Sequence, residues 1–252
     1  MNLGLWQWIF AFIGAGIIGF SKTGIGGLTL LAVALFTQIF PGHTKQVSGL
    51  ILPLLIVGDV VAVLSYRRHT QWRFLWKLFP WTALGVLAGW LAMGRIDDQQ
   101  ARVIVGAIIL AMVLMHLWRR RRNASAVTSQ TADQHGAWFA PTIGILAGFT
   151  TLIANAAGPL MAVYLLAMRL PKFEFVGTGA IFFMILNWFK VPFMIDLGLI
   201  TVDSAKLNLL LAPVVIGGAL FGRALLPRIN QNVFENLALA LSALTGAKML
   251  FW

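Results

Sequence analysis

The sequence predicts an all-α integral membrane protein of two inverted repeats. Each repeat has about five hydrophobic segments, the first two of them short or re-entrant. Three observations predict it. The chain of 252 residues is 59% hydrophobic and only 11% charged, against ~25% charged in an average soluble domain. Ten apolar segments recur along it, at roughly 3–20, 28–40, 47–65, 74–93, 101–118, 138–153, 158–170, 174–197, 204–226 and 233–251. That is the pattern of a polytopic helical protein, without the strict alternation of a membrane barrel. Finally, paired motifs occupy the same places in the two halves.

The pairing sets the domain organisation. "PWTALGVLAGWLAMGRI" (80–96) and "PVVIGGALFGRALLPRI" (213–229) share Pro, Gly, Leu, Gly, Arg and Ile at identical offsets. "GFSKTGIGGL" (19–28) has its counterpart in "GFTTLIANAAGPL" (148–160). The polar stretch "RRRRNASAVTSQTADQHG" divides the segments five and five. The expected division is a membrane repeat at 1–118, a linker at 119–137 and a second membrane repeat at 138–252. An odd number of segments per repeat gives the repeats opposite orientation, a signature of secondary transporters.

The charges orient the chain. The net charge is +11, but the basic residues sit at the ends of apolar runs, which argues against a nucleic-acid partner. Arg67, Arg68, Arg73, Lys77, Arg119 to Arg122, Arg169, Lys172, Arg223 and Arg228 would share one side. Lys45, Arg95, Arg102, Lys206 and Lys248 would share the other. By the positive-inside rule the first side is cytoplasmic. The expectation is a multi-pass protein of the plasma (inner) membrane, its linker cytoplasmic and both termini outside.

Segments 2 and 7 reach only ~20 Å as helices, short of the ~30 Å hydrocarbon core. Segments 1–2 and 6–7 therefore read either as spanning pairs or as re-entrant hairpins. Hairpins would bring the tips "SKTGIGG" and "TTLIANAAG" toward the midplane from opposite faces. Irregular backbone is tolerated there only when buried in protein or lining a wet cavity.

The candidate site follows from those tips. Broken helices expose backbone N–H groups and positive dipole ends, which favour anions. Gly24, Gly26, Gly27 and Gly158 let a ligand approach the backbone. Ser21, Thr23, Thr150, Thr151 and Asn155 add hydrogen-bonding groups, and Lys22 adds a full charge. The competing reading of Lys22 is a side chain that snorkels to the interface. Two further ionisable residues lie inside apolar segments, Asp59 in "LLIVGDVVAVL" and Lys190 in "FFMILNWFKVPFM". Such groups mark a pathway or a pair. Asn187 shares a helix face with Lys190. Lys190 reads as a second anion ligand, and Asp59 as a lysine's partner or the carrier of a coupling proton.

Other chemistries find no support. The sequence has no cysteine, so disulfide, zinc-thiolate and redox chemistry are excluded. No metal-ligand spacing, phosphate-binding loop or convincing catalytic set is present. The reading is therefore not an enzyme and has neither cofactor nor metal. Its partners would be a small anionic substrate and the lipid bilayer. A homo-oligomer and proton coupling stay open, as do the alternatives of an anion channel, a membrane-embedded enzyme and a passive assembly partner.

"GFSKTGIGGLTLLAV", "GFTTLIANAAGPLMAVYLLAM" and "VGTGAIFFMILNWFKVPFM" together resemble the TauE/SafE family of membrane permeases, the sulfite exporter family. The likeness covers nearly the whole chain, duplicated halves included. The second glycine loop departs from it, with "IANAAGP" where the family often has consecutive glycines. The resemblance implies transport of sulfite, organosulfonates or other small organic acids.

Overall fold

The computed structural model describes residues 4–25, 28–40, 44–124 and 138–251. Among them are ten α-helices and no strand. The helices are α1 (Leu5–Thr23), α2 (Thr29–Ile39), α3 (Thr44–Tyr66), α4 (Trp72–Met93), α5 (Asp98–Ala124), α6 (Phe139–Ala154), α7 (Ala157–Ala167), α8 (Lys172–Asp196), α9 (Val202–Leu225) and α10 (Gln231–Phe251). Each overlies one apolar segment of the sequence, so the all-α membrane fold is as expected. Seven helices are long and apolar enough to cross a membrane. Large apolar side chains such as Leu114, Leu209 and Leu244 face outward, as they do in a protein solvated by lipid.

α2 and α7 have 11 residues each, or ~16 Å of helix. Each folds back along the helix before it. At the α1–α2 tip the Ser21 and Thr29 hydroxyls are hydrogen-bonded at 2.8 Å. At the base, Gln7 Nε2 donates to the Ile39 carbonyl at 3.2 Å. α2 thus ends beside the start of α1. In the second pair Phe139, at the start of α6, stacks on Tyr164 near the end of α7, ring centroids 5.8 Å apart. Both pairs are hairpins that return to their own end of the molecule.

Glycines fix where the hairpins sit, and the same contacts recur in both halves. A Cβ on Gly19 of α1 would lie 1.9 Å from the Val215 carbonyl oxygen of α9. A Cβ on Gly148 of α6 would lie 2.1 Å from the Thr82 carbonyl oxygen of α4. These are equivalent positions in the repeated motifs. The reciprocal contacts also match, with Gly218 against Gly16 O (2.2 Å) and Gly85 against Ile145 O (2.1 Å). Each first helix is therefore seated on the fourth helix of the opposite half.

α3 and α8 cross at the centre. Gly49 packs under the Leu199 carbonyl beyond the end of α8, and Gly177 under the Tyr66 carbonyl at the end of α3. Counting from these two glycines makes Asp59 and Asn187 equivalents, and they meet at the crossing. At one end of the molecule the Arg67–His69 turn, the start of α8 and the Pro227–Ile229 turn gather. Thr70 Oγ1 donates to Gly177 O, and Lys172 Nζ donates to Pro227 O. Arg67, Arg68, Lys172 and Arg228 thus share an end, as the charge pattern expects. α5 continues as helix to Ala124, into the stretch read as a linker; residues 125–137 lie outside the described residues.

Candidate anion site

The two hairpin tips and the α3–α8 crossing enclose one cavity. It leaves about 60 Å³ for water centres, against the ~10–15 Å³ that one water needs. From the sequence-predicted set, Ser21, Lys22 and Gly24 line it from the first tip. Thr151, Asn155 and Gly158 line it from the second, and Asn187 from α8. Gly26 and Gly27 lie outside the described residues. The remaining expected residues stand elsewhere. Thr23 Oγ1 donates to Ala219 O at 2.6 Å and fastens α1 to α9. Thr150 Oγ1 donates to Ala147 O within its own helix. Neither lines the cavity. Asp59 and Lys190 are fully buried behind its wall.

Lys22 turns into the protein instead of snorkelling out. Its side chain is 7% exposed, and its ammonium meets Asp59 Oδ1 at 2.7 Å. It also sits 4.6 Å from the centroid of the Phe183 ring, a cation–π distance. Asn187 Nδ2 donates to the other carboxylate oxygen, Asp59 Oδ2, at 2.6 Å. Its second amide proton remains for the cavity it lines. The hydroxyls of Ser21 and Thr29 form a chain in which Ser21 Oγ also reaches Ile18 O at 2.9 Å.

Lys190 behaves differently. Its ammonium donates to Thr151 O and Thr151 Oγ1, both at 3.2 Å, and to Asn155 Oδ1. Three acceptors match the three protons of an ammonium, so Lys190 contributes charge without a free donor. Asn155 is also spent. Its Nδ2 donates to Ser48 O at 2.9 Å and Ser48 Oγ at 2.8 Å. Asn155 holds a left-handed backbone at φ 51° where α6 ends, a conformation asparagine tolerates better than most residues. The polar atoms of Lys190 and Asn155, both expected as direct ligands, are thus engaged with protein groups in this structure.

Backbone adds to the field. The residues before α2 and α7 make no side-chain cap, and Thr29 and Gly158, in their first turns, line the cavity. Two helix N-termini thus open onto it, each with partial positive charge. Among the described residues the ionisable groups gathered here are two lysines against one aspartate, a formal excess of one positive charge. The sequence did not flag Thr29, Ser48 or Phe183. A serine or threonine near a segment end reads as interface, and one phenylalanine among 18 carries no signal.

The family model for the sulfite exporter TauE/SafE matches residues 11–249, both tips and every buried charge included. The chain belongs to the TauE/SafE family. This TauE/SafE protein is accordingly a multi-pass membrane transporter of sulfite-exporter type. No curated protein and no solved structure matches the chain. Within the TauE/SafE chain the first match of tip and charge is Lys22 with Asp59, on neighbouring helices of one half.

Proposed function

We propose that this TauE/SafE protein is a secondary carrier of a small monovalent oxyanion of the sulfite, organosulfonate or small organic acid class. The observation that carries it is the formal excess of one positive charge beside a cavity reached by Lys22, Asn187 and two helix N-termini. A charge-assisted hydrogen bond to an oxyanion is roughly twice as strong as a neutral one. One anionic charge balances the centre. Lys22 and Asn187 would donate directly. If Ser21 turns its proton to Thr29, the Thr29 hydroxyl becomes a donor as well. Lys190, held by Thr151 and Asn155, would act through its field.

The halves would be inverted repeats with the site at their interface. A negative-inside potential favours anion export by ~2.3 kcal/mol per charge per 100 mV, so export needs no coupling. Uptake would need a cotransported cation. Asp59 is the group to carry a proton, because protonation would free Lys22 for the anion. A cavity that stops at the Lys190 layer favours a carrier over an open channel.

The test is efflux from proteoliposomes loaded with labelled sulfite, sulfoacetate, taurine or acetate, with and without a pH gradient. Saturable efflux of one anion, accelerated by that anion outside, is expected. Flux that neither saturates nor shows counterflow would replace the carrier with a channel. No flux of any of them through folded, inserted protein would remove the reading.

A further inference from the structure

The cavity is not placed symmetrically. On α8 its lining residues form one stripe, Phe175, Val176, Gly179, Ala180, Phe183 and Asn187. On α7 they continue to Leu165. Both stripes run from the centre toward the end where α8 begins, the end that holds Arg67, Arg68 and Lys172. Beyond Asn187, toward the other end, the next inward residue is Lys190, fully buried and bonded to the second tip.

The outer part of the equivalent stripe in the other half does not line the cavity, although Leu55, the equivalent of Phe183, does. Counting from Gly49 and Gly177, Ile51 stands where Gly179 does and Leu52 where Ala180 does. Ile51 and Leu52 do not line the cavity, whereas Gly179 and Ala180 do. At this end Ser48 accepts both amide protons of Asn155. The equivalent of Ser48 at the other end is Val176, whose side chain has no group to accept such a bond. Hydrogen bonds thus join a hairpin tip to the crossing helix at one end, and the hydroxyl that takes part has no counterpart in Val176.

Resting on the carrier reading, we infer that Ser48 is a positioning residue, and that its bonds to Asn155 are the latch closing the site toward the end where α3 begins. In this state the site opens only toward the arginine-rich end. Passage to the opposite state requires the Ser48–Asn155 bonds to break and the second tip to leave α3. Lys190 then loses its Asn155 partner, so occupancy of the site and opening of the latch act on the same side chains.

The absence of cysteine from the sequence makes the test direct. A Gly179→Cys reporter sits in the cavity, and a Cβ there meets nothing closer than 3.9 Å. Arg68→Cys and Asp203→Cys, at opposite ends, calibrate sidedness. Labelling with a membrane-impermeant maleimide is measured on sealed vesicles of both orientations. Gly179→Cys is expected to label from the Arg68 side and not from the Asp203 side. Adding Ser48→Ala removes the bond to the hydroxyl and leaves the one to the carbonyl, so it should raise labelling from the Asp203 side roughly fivefold, the scale of losing one ordinary hydrogen bond; Ser48→Thr, which keeps the hydroxyl, should restore the one-sided pattern. Should Ser48→Ala fail to fold, Asn155→Gly keeps the left-handed backbone and removes both bonds to Ser48, along with the one from Lys190. Labelling from the Asp203 side without the second substitution, or a pattern unmoved by both Ser48→Ala and Asn155→Gly, would overturn the inference. The readout needs no anion, so one-sided labelling in a protein that transports none of the tested anions would overturn the carrier reading and leave the latch standing.

Discussion

The two halves share a packing scheme and differ in how they distribute charge. Gly19 on Val215 and Gly148 on Thr82 seat both hairpins in the same way. At the tips, however, Lys22 corresponds to Thr151, and at the crossing Asp59 corresponds to Asn187. The first half holds both members of an ion pair, and the second holds Lys190 tied to neutral acceptors. A symmetric scaffold thus carries an asymmetric site. The scaffold brings the tips together, and the asymmetry decides which lysine keeps donors for a ligand.

Substitutions can break that comparison at different strengths. The largest effect is expected from Lys22→Ala. Removing one partner of a buried pair costs ~3–5 kcal/mol, and here it also removes the direct donor. Anion flux should fall by two orders of magnitude or more, and lysines at Lys190 and elsewhere should not compensate. Next come Gly19→Ala and Gly148→Ala. Each sets a Cβ against backbone, so the helices must separate at a cost of ~1–3 kcal/mol. Both should lower the yield of monodisperse protein in detergent to a similar extent. A loss confined to one of them would mean that the halves do not share a packing scheme. Asp59→Asn keeps the size of the side chain and removes its charge. Efflux driven by membrane potential should survive it, while any acceleration of uptake by a proton gradient should disappear. Ser21→Ala removes one hydroxyl, worth about 1 kcal/mol, and should raise KM roughly fivefold with kcat little changed. Gly179→Ala, whose Cβ would meet nothing closer than 3.9 Å, should leave folding intact.

Much of the fold was legible because run length and hydropathy act locally. Twenty apolar residues need a helix to satisfy their backbone in lipid, and eleven cannot span it. The extension of α5 to Ala124 was not legible, because "RRRRNA" reads as a polar break although arginine is a good helix former. Lys22, Asp59 and Lys190 stood out because charge is costly in an apolar run. Their partners did not. Whether Lys190 has a free proton depends on where Thr151 and Asn155 fall in space, and no spacing in one sequence reports that. Ser48 was missed for the same reason. It matters only because α3 passes beside a tip more than a hundred positions away.

In the proposed site Lys22 binds the anion directly while Lys190 acts from behind it. Counterflow of labelled sulfite and sulfoacetate in proteoliposomes, comparing the unmodified protein with Lys22→Ala, tests that assignment most directly. Saturable counterflow of at least one of the two anions is expected, and its loss in the variant with folded protein still present in the membrane. Counterflow of that anion with unchanged KM and rate in Lys22→Ala would contradict it.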